Sequence, residues 1–208
     1  MSNDCGGYTY DEDAINARKS DVKIHPVLLS RVSPREMTGE LVSDEDINSL
    51  FEAARWAPSH YNLQPWRFIY AKRGTEHWQK FMDLLWPLNQ QWCQTASHLM
   101  VVLSSKWAEL RGEKHRIPTN SYDAGSAWMS MAIEGAAKGL VIHGIGGFDF
   151  DKAYEAVGAN KDTHNVEAMI VVGKRPAKAD RKQNETITPR NPINTFVSEG
   201  IFKNNDKF

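Results

Sequence analysis

The chain has 208 residues, 41% of them hydrophobic, enough to bury one substantial core. Its 25 basic and 26 acidic residues are interleaved and leave a formal net charge of −1, so no concentrated positive field marks it for nucleic acid or anionic lipid. Cys5 and Cys93 stand far apart in no metal or disulfide spacing. No apolar run reaches the roughly 20 residues of a membrane span, and Met1-Ser2-Asn3-Asp4 lacks the order of a signal peptide. A soluble, cytoplasmic protein in a reducing setting is expected, without nucleic-acid or membrane partners.

Residues 1–25 are polar, with Gly6-Gly7 and a charged stretch from Asp11 to Lys23, and His25-Pro26 reads as a helix stop. This predicts an N-terminal arm with a short helix over 1–28, followed by one domain over 29–208. Ser43-Asp44-Glu45-Asp46 is a helix start, because a Ser cap with an acid three residues on satisfies two orphan backbone donors; Ile47, Leu50, Phe51 and Ala54 then share one apolar face. Pro58 closes that helix, Ser59–Pro65 is a polar loop, and Trp66–Tyr70 is a strand. A helical stretch around Glu76–Leu85 is broken by Pro87, and Leu99–Leu103 is a short apolar run of the buried-strand kind. Ser121 to Lys138 carries small and large apolar residues at helical spacing, with Gly139 as its C-cap, and is the best central helix. Leu140–Ile142 is a strand, Gly144–Gly147 a glycine-rich turn, Asp151–Val157 a helix and Ala168–Val172 a last buried strand; from Pro176 the tail is polar.

Three features can carry chemistry. Ser30-Arg31-Val32-Ser33-Pro34-Arg35 has the guanidinium and hydroxyl donors that fork onto a phosphate, although a solvated turn has the same composition, as does the rival Arg18-Lys19-Ser20. Between Pro58 and Pro65, Ser59, His60, Asn62 and Gln64 crowd together; side-chain amides donate and accept, which suits the alternating edge of a flavin ring, while the bland reading is an ordinary turn. Gly144-Ile145-Gly146-Gly147-Phe148 would let backbone N–H groups approach a planar ligand, but it is no GxGxxG fingerprint, and a glycine turn is common for conformational reasons alone.

In combination the three resemble the nitroreductase family, whose members open with an Arg-Arg-Ser-x-Arg phosphate motif and continue into AARxAPSxxNxQPWxF. Here that second segment is nearly complete, from Ala53-Ala54-Arg55-Trp56-Ala57-Pro58 to Gln64-Pro65-Trp66-Arg67-Phe68. The gap from Ser33 to Ser59 matches that family, which selects the Arg31–Arg35 cluster and demotes Arg18-Lys19-Ser20 to a charged arm. Asn89, the helix around Trp128–Gly139, Gly146-Gly147-Phe148-Asp149 and Val171–Pro176 continue the likeness, which spans roughly Leu29 to Val197.

The resemblance implies an α+β sandwich, a mixed central sheet flanked by helices, in an intertwined homodimer with FMN at the subunit interface. Periodicity alone would suggest a doubly wound parallel sheet. Seven tryptophans suit a large apolar interface, and equally a packed core. By the same resemblance Arg31, Val32, Ser33 and Arg35 hold the FMN phosphate and ribityl chain, Val32 through its backbone only, with Arg190 as a late basic partner. Pro58, Ser59, His60, Asn62 and Gln64 approach the ring from the partner subunit. Asn89 meets the pyrimidine edge, and the Ile145-Gly146-Gly147 turn points a backbone N–H at N5 or O4. No catalytic side chain is demanded, since the cofactor carries the hydride chemistry, and no metal is expected, because His98 and His143 read as core imidazoles. The implied activity is a ping-pong transfer from NADH or NADPH to an oxidised small molecule such as a nitroaromatic or quinone. Alternatives are specialised chemistry on the same scaffold, reductive dehalogenation or flavin breakdown, and a non-catalytic protein that stores or senses FMN. The region between Lys106 and Tyr122, with Trp107, Arg111, His115 and Arg116, is the expected substrate lid.

Overall fold

A computed structural model describes residues 8–182 and 187–201; Cys5 lies outside them. The core is a four-stranded sheet built from β1 (Trp66–Lys72), β2 (His98–Ser105), β5 (Leu140–Ile145) and β6 (His164–Lys174), in the order β1-β2-β6-β5. Every pairing in it is antiparallel, so the parallel arrangement suggested by periodicity is set aside; of the mixed sheet that the resemblance implies, the described residues show antiparallel pairings only. Helix and strand follow each other in sequence in either kind of sheet, and periodicity does not report strand direction.

Side-chain alternation along the strands splits the core into two layers. Leu99, Val101, Leu103, Val141, Ile145, Met169 and Val171 face α4 (Trp78–Met82), α5 (Pro87–Cys93) and α7 (Phe150–Val157). Met100, Val102, Ile142, Ile170 and Val172 face α3 (Asp44–Arg55) and α6 (Asn120–Ala137). The fold is thus an α+β sandwich with helices on both faces. Between the layers, β2 is buried along its whole length except Ser105.

Local chemistry explains the element ends. Ser43 Oγ accepts from Asp46 N–H (3.1 Å) and donates to its carboxylate (2.7 Å), opening α3 as expected; the helix stops at Arg55, three residues before Pro58. Gly139, at φ +70°, follows the Lys138 C-cap of α6, while Asp149 caps α7 and the left-handed Gly158 closes it. Two prolines behave differently from the sequence reading. Pro87 opens α5, and Pro26 opens α2 (Pro26–Ser30), each in the first turn where the missing N–H costs nothing. Gly144 and Ile145 also belong to β5, so the glycine turn starts only at Gly146. The Lys106–Tyr122 region folds into a hairpin, β3 (Trp107–Leu110) with β4 (Glu113–Arg116).

The N-terminal α1 (Glu12–Ala17) is docked. Its cap residue Asp11 accepts from Ala14 N–H (3.0 Å), takes the Ser30 Oγ contact at its own N–H (2.6 Å), and pairs with Arg175 (2.5 Å) and Arg181 (3.2 Å). Burial works against the carboxylate, yet the Ala14 N–H and the two guanidiniums hold its pKa below the ordinary range. At the other pole, Asn120 Nδ2 donates to Ser104 Oγ (2.8 Å) and Ser121 Oγ to Glu167 (2.8 Å), tying the start of α6 to β2 and β6.

Helix and sheet come close at Gly135 of α6, where an added Cβ would press into Ile142 and meet Leu50 Cδ2 at 3.2 Å. Gly135→Ala is expected to cost about 1–3 kcal/mol by overpacking, despite alanine's better helix propensity. A lowered midpoint in thermal or denaturant unfolding is the check; an unchanged or raised midpoint contradicts this packing.

Candidate functional site

Three residues singled out in the sequence, from three separate segments, line one cavity of about 770 Å³: Arg35, Asn89 and Gly147, with Trp86 and Trp92 as its flat walls. A continuous set of contacts joins them. Asn89 Nδ2 donates to the Gly147 carbonyl (2.9 Å) and its Oδ1 accepts from Trp92 Nε1 (3.0 Å). Trp92 lies under the Arg35 guanidinium (5.7 Å to the ring centroid) and against the His143 ring (4.9 Å), and His143 Nδ1 donates to the Pro34 carbonyl (3.0 Å). The relay runs from the arginine turn, through α5, to the turn after β5.

That second turn is held rigidly. Trp86 N–H also donates to the Gly147 carbonyl (3.0 Å), Leu85 bridges Phe148, and Asp149 N–H reaches Leu84 (2.8 Å). The Gly147 N–H makes no hydrogen bond among the described residues, so it is available to a ligand. A Cβ at Gly147 would lie 2.6 Å from Asn89 Nδ2 and 3.2 Å from Trp86 Cε3, so a larger residue would have to push the Asn89 amide off the Gly147 carbonyl. Asn89 thus positions the turn, keeping one amide hydrogen for anything else. Ile145 turns its side chain into the core, 4% exposed, leaving only its backbone near the site.

The arginine turn concentrates positive charge. Arg31 Nη1 donates to Ser33 Oγ (2.9 Å) and makes no ion pair among the described residues. Burial, then the like charges of Arg18 and Arg190, push its pKa down, a balance that an anion would reverse. Arg190 arrives from the tail close enough for its charge to act on Arg31, while hydrogen-bonding its own Thr188 and Pro189 carbonyls (3.2 and 3.0 Å). Arg18, set aside as a charged arm, is instead inserted here: its Nη1 caps the carbonyls of Leu29 (2.6 Å) and Arg31 (2.7 Å), fixing the turn from behind. No spacing rule could reveal this, since the contact spans a turn and a helix. Burial pushes the His143 pKa down, helped by the Arg35 and Arg31 charges and opposed by its bond to Pro34. His98 is a core imidazole on Ser97 Oγ (2.9 Å), its pKa pushed down to about 4 by burial and Lys72.

The polar elbow Pro58–Gln64 lies elsewhere. It leads into β1, at one edge of the sheet, whereas Gly146-Gly147 follow β5 at the other, about 14 Å away at ordinary strand spacing. Within the elbow Ser59 Oγ accepts from Gln64 N–H (3.0 Å) and Gln64 Nε2 donates to the Asn62 carbonyl (3.0 Å). The side chains of His60 and Asn62 make no hydrogen bond among the described residues and are the ones free to meet a ligand. Tyr61, Asn62 and Gln64 all have positive φ, at 46°, 56° and 48°. Asp123 of α6 holds this shape: 3% exposed, it accepts from His60 N–H (3.1 Å) and Thr119 Oγ1 (3.2 Å). In the sequence it is one more acid in a helix's first turn. No three His, Cys, Asp or Glu side chains gather as a metal site among the described residues, and no described helix is long and apolar enough to cross a membrane.

Comparison with known proteins gives this geometry a family. The sequence pattern of the nitroreductase family matches residues 28–91. The oxygen-insensitive NADPH nitroreductase of Helicobacter pylori strain J99 is 26% identical over 176 residues, covering 69% of this chain and 83% of that protein. A crystal structure of an oxidoreductase containing FMN is 36% identical, with a TM-score of 0.82 over 90% of this chain and 97% of the other. A Desulfovibrio desulfuricans protein solved in complex with FMN shares the fold, at 24% identity and a TM-score of 0.65 over 87% of this chain and all of that one. On these matches the chain belongs to the nitroreductase family.

Proposed function

We propose that the protein is an FMN-dependent oxidoreductase that works as a homodimer, with residues 29–208 as the flavin-holding unit after an N-terminal arm and short helix over 1–28. The observation that carries this reading is the joint lining of one cavity by Arg35, Asn89 and Gly147, between two tryptophan rings, beside an arginine turn with surplus positive charge. The residues fit the cofactor: about 770 Å³ lies within the usual range of ligand pockets, the walls are flat and apolar, and the absent Cβ of Gly147 leaves its N–H approachable. Arg31, Ser33 and Arg190 would grip the phosphate, with Val32 offering its backbone.

What FMN supplies when bound is hydride exchange between NADH or NADPH and an oxidised acceptor, such as a nitroaromatic or quinone. The chain's own work is to bind, orient and exclude water. The Gly147 N–H offers a hydrogen bond to the ring, and the arginine turn offsets negative charge. No side-chain acid or base is required. The elbow residues Pro58, Ser59, His60, Asn62 and Gln64 sit at the opposite edge from this cavity, so they serve a flavin only across a subunit interface. Relatives named as NADPH nitroreductases support the choice of reductant.

The purified protein should be yellow, release FMN on denaturation, and bleach rapidly when NADH or NADPH is added without oxygen. Tight flavin with no bleaching would favour a storage or sensing role, and a colourless protein that refuses FMN would overturn the reading. Sedimentation should show a dimer; a monomeric holoprotein removes the elbow from the site.

Arg31→Ala or Arg190→Ala should weaken FMN about tenfold to a hundredfold, the loss of one charge-assisted contact, without unfolding the protein. Gly147→Val should block the ring site through its clash with Asn89 and Trp86. Full flavin occupancy in all three variants would refute the assignment.

Asp123→Ala leaves the His60 N–H without its partner, at a cost of about 1–3 kcal/mol. Limited proteolysis should then cut faster within residues 59–64, and flavin occupancy should fall in step. An elbow cut no faster than in the parent protein would show that Asp123 does not hold it.

A further inference from the structure

The β3–β4 hairpin pairs with no other strand among the described residues, and a two-stranded ribbon is marginal by itself. Its base is anchored: Ile117 N–H donates to Lys106 (2.8 Å), Lys106 N–H to Thr163 (2.8 Å), and Trp107 Nε1 to Asp162 (3.1 Å). Its tip reaches over the elbow. His60, Tyr61 and Leu63 from the elbow, with Leu110, Arg111 and Arg116 from the hairpin, line a cavity of about 640 Å³ that shares no lining residue with the tryptophan-walled one.

The charges in this cavity are unbalanced. The Arg111 and Arg116 side chains make no hydrogen bond or ion pair among the described residues, while the lining carboxylate of Glu113 is 3.6 Å from His115. Arg111 also stands at a costly position. The turn Leu110-Arg111-Gly112-Glu113 has φ +55° at Arg111 and +82° at Gly112, a geometry in which asparagine or glycine is strongly preferred at the first place. A side chain kept there against that preference, unpaired and lining a cavity beside an exposed tyrosine ring, has the chemistry of an anion clasp next to an aromatic shelf.

We propose that the hairpin cavity binds the anionic group of a planar substrate, a phosphate or carboxylate held by Arg111 and Arg116 while the flat part lies along Tyr61 and Leu63. This rests on the reading above, in which the elbow borders the flavin of the partner subunit. Two sources share the chemistry: the extra ribose phosphate of NADPH, and a carboxylate on an aromatic acceptor.

The test is calorimetric titration of the purified protein with NADPH, NADH, para-nitrobenzoate and nitrobenzene, for the parent chain, Arg111→Ala, Arg116→Ala and the double variant. The double variant should lose at least about tenfold in affinity for the anion-bearing member of one pair, with its neutral counterpart changed less than about twofold. Arg111→Lys should recover part of the loss, and the discrimination should shrink as salt rises. A loss confined to NADPH identifies the nucleotide phosphate, and one confined to nitrobenzoate identifies the acceptor. Equal changes within both pairs, or none, overturn the proposal. Flavin content, read from the colour of the same samples, reports separately on the cofactor assignment.

Discussion

Burial of β2 and β6 on both faces is the constraint from which the rest follows. Each fully buried apolar side chain contributes about 1.5–3 kcal/mol, and the central strands present such residues alternately to the two helical layers. Strands filled in this way leave no room for polar chemistry at the centre. Candidate functional groups are therefore found at the sheet's two edges and in the loops beside them, where one edge carries the elbow and the other the glycine turn. The helices in turn inherit fixed positions, since α6 can approach β5 only because Gly135 lacks a side chain.

What connects the arginine turn to the glycine turn is a set of half-used polar groups. Asn89 spends one donor and one acceptor on Gly147 and Trp92, His143 spends one nitrogen on Pro34, and Arg18 spends its guanidinium on two carbonyls. Asn89 and Arg18 are oriented by two bonds each and His143 by one, which is how such groups are preorganised before any ligand arrives. Between them lies Trp92, packed against both the Arg35 guanidinium and the His143 ring.

Much of this was legible in the residues. The Ser43 cap, the apolar face of α3, the buried run in β2 and the small-residue helix α6 follow from local rules, and the structure reproduces them. The elbow segment and the arginine turn were found by motif, and Arg35, Asn89 and Gly147 do converge. Other features were not readable. A proline ends one helix and begins another with equal ease, so Pro26 and Pro87 were taken as stops where they are starts. The β3–β4 hairpin has short strands, β4 without an apolar residue, and no sustained apolar alternation. Arg18 and Asp123 act through contacts far apart in sequence, and strand direction has no local signature.

The elbow has one more implication, for how such a chain can change over generations. Its left-handed residues are tyrosine, asparagine and glutamine, where glycine would relieve about 1 kcal/mol or more at each. Selection for thermal robustness alone would therefore drift these places toward glycine and erase the amides. In the proposed function those amides carry recognition, so variants meant to keep the flavin are better made robust in the helices than in this loop.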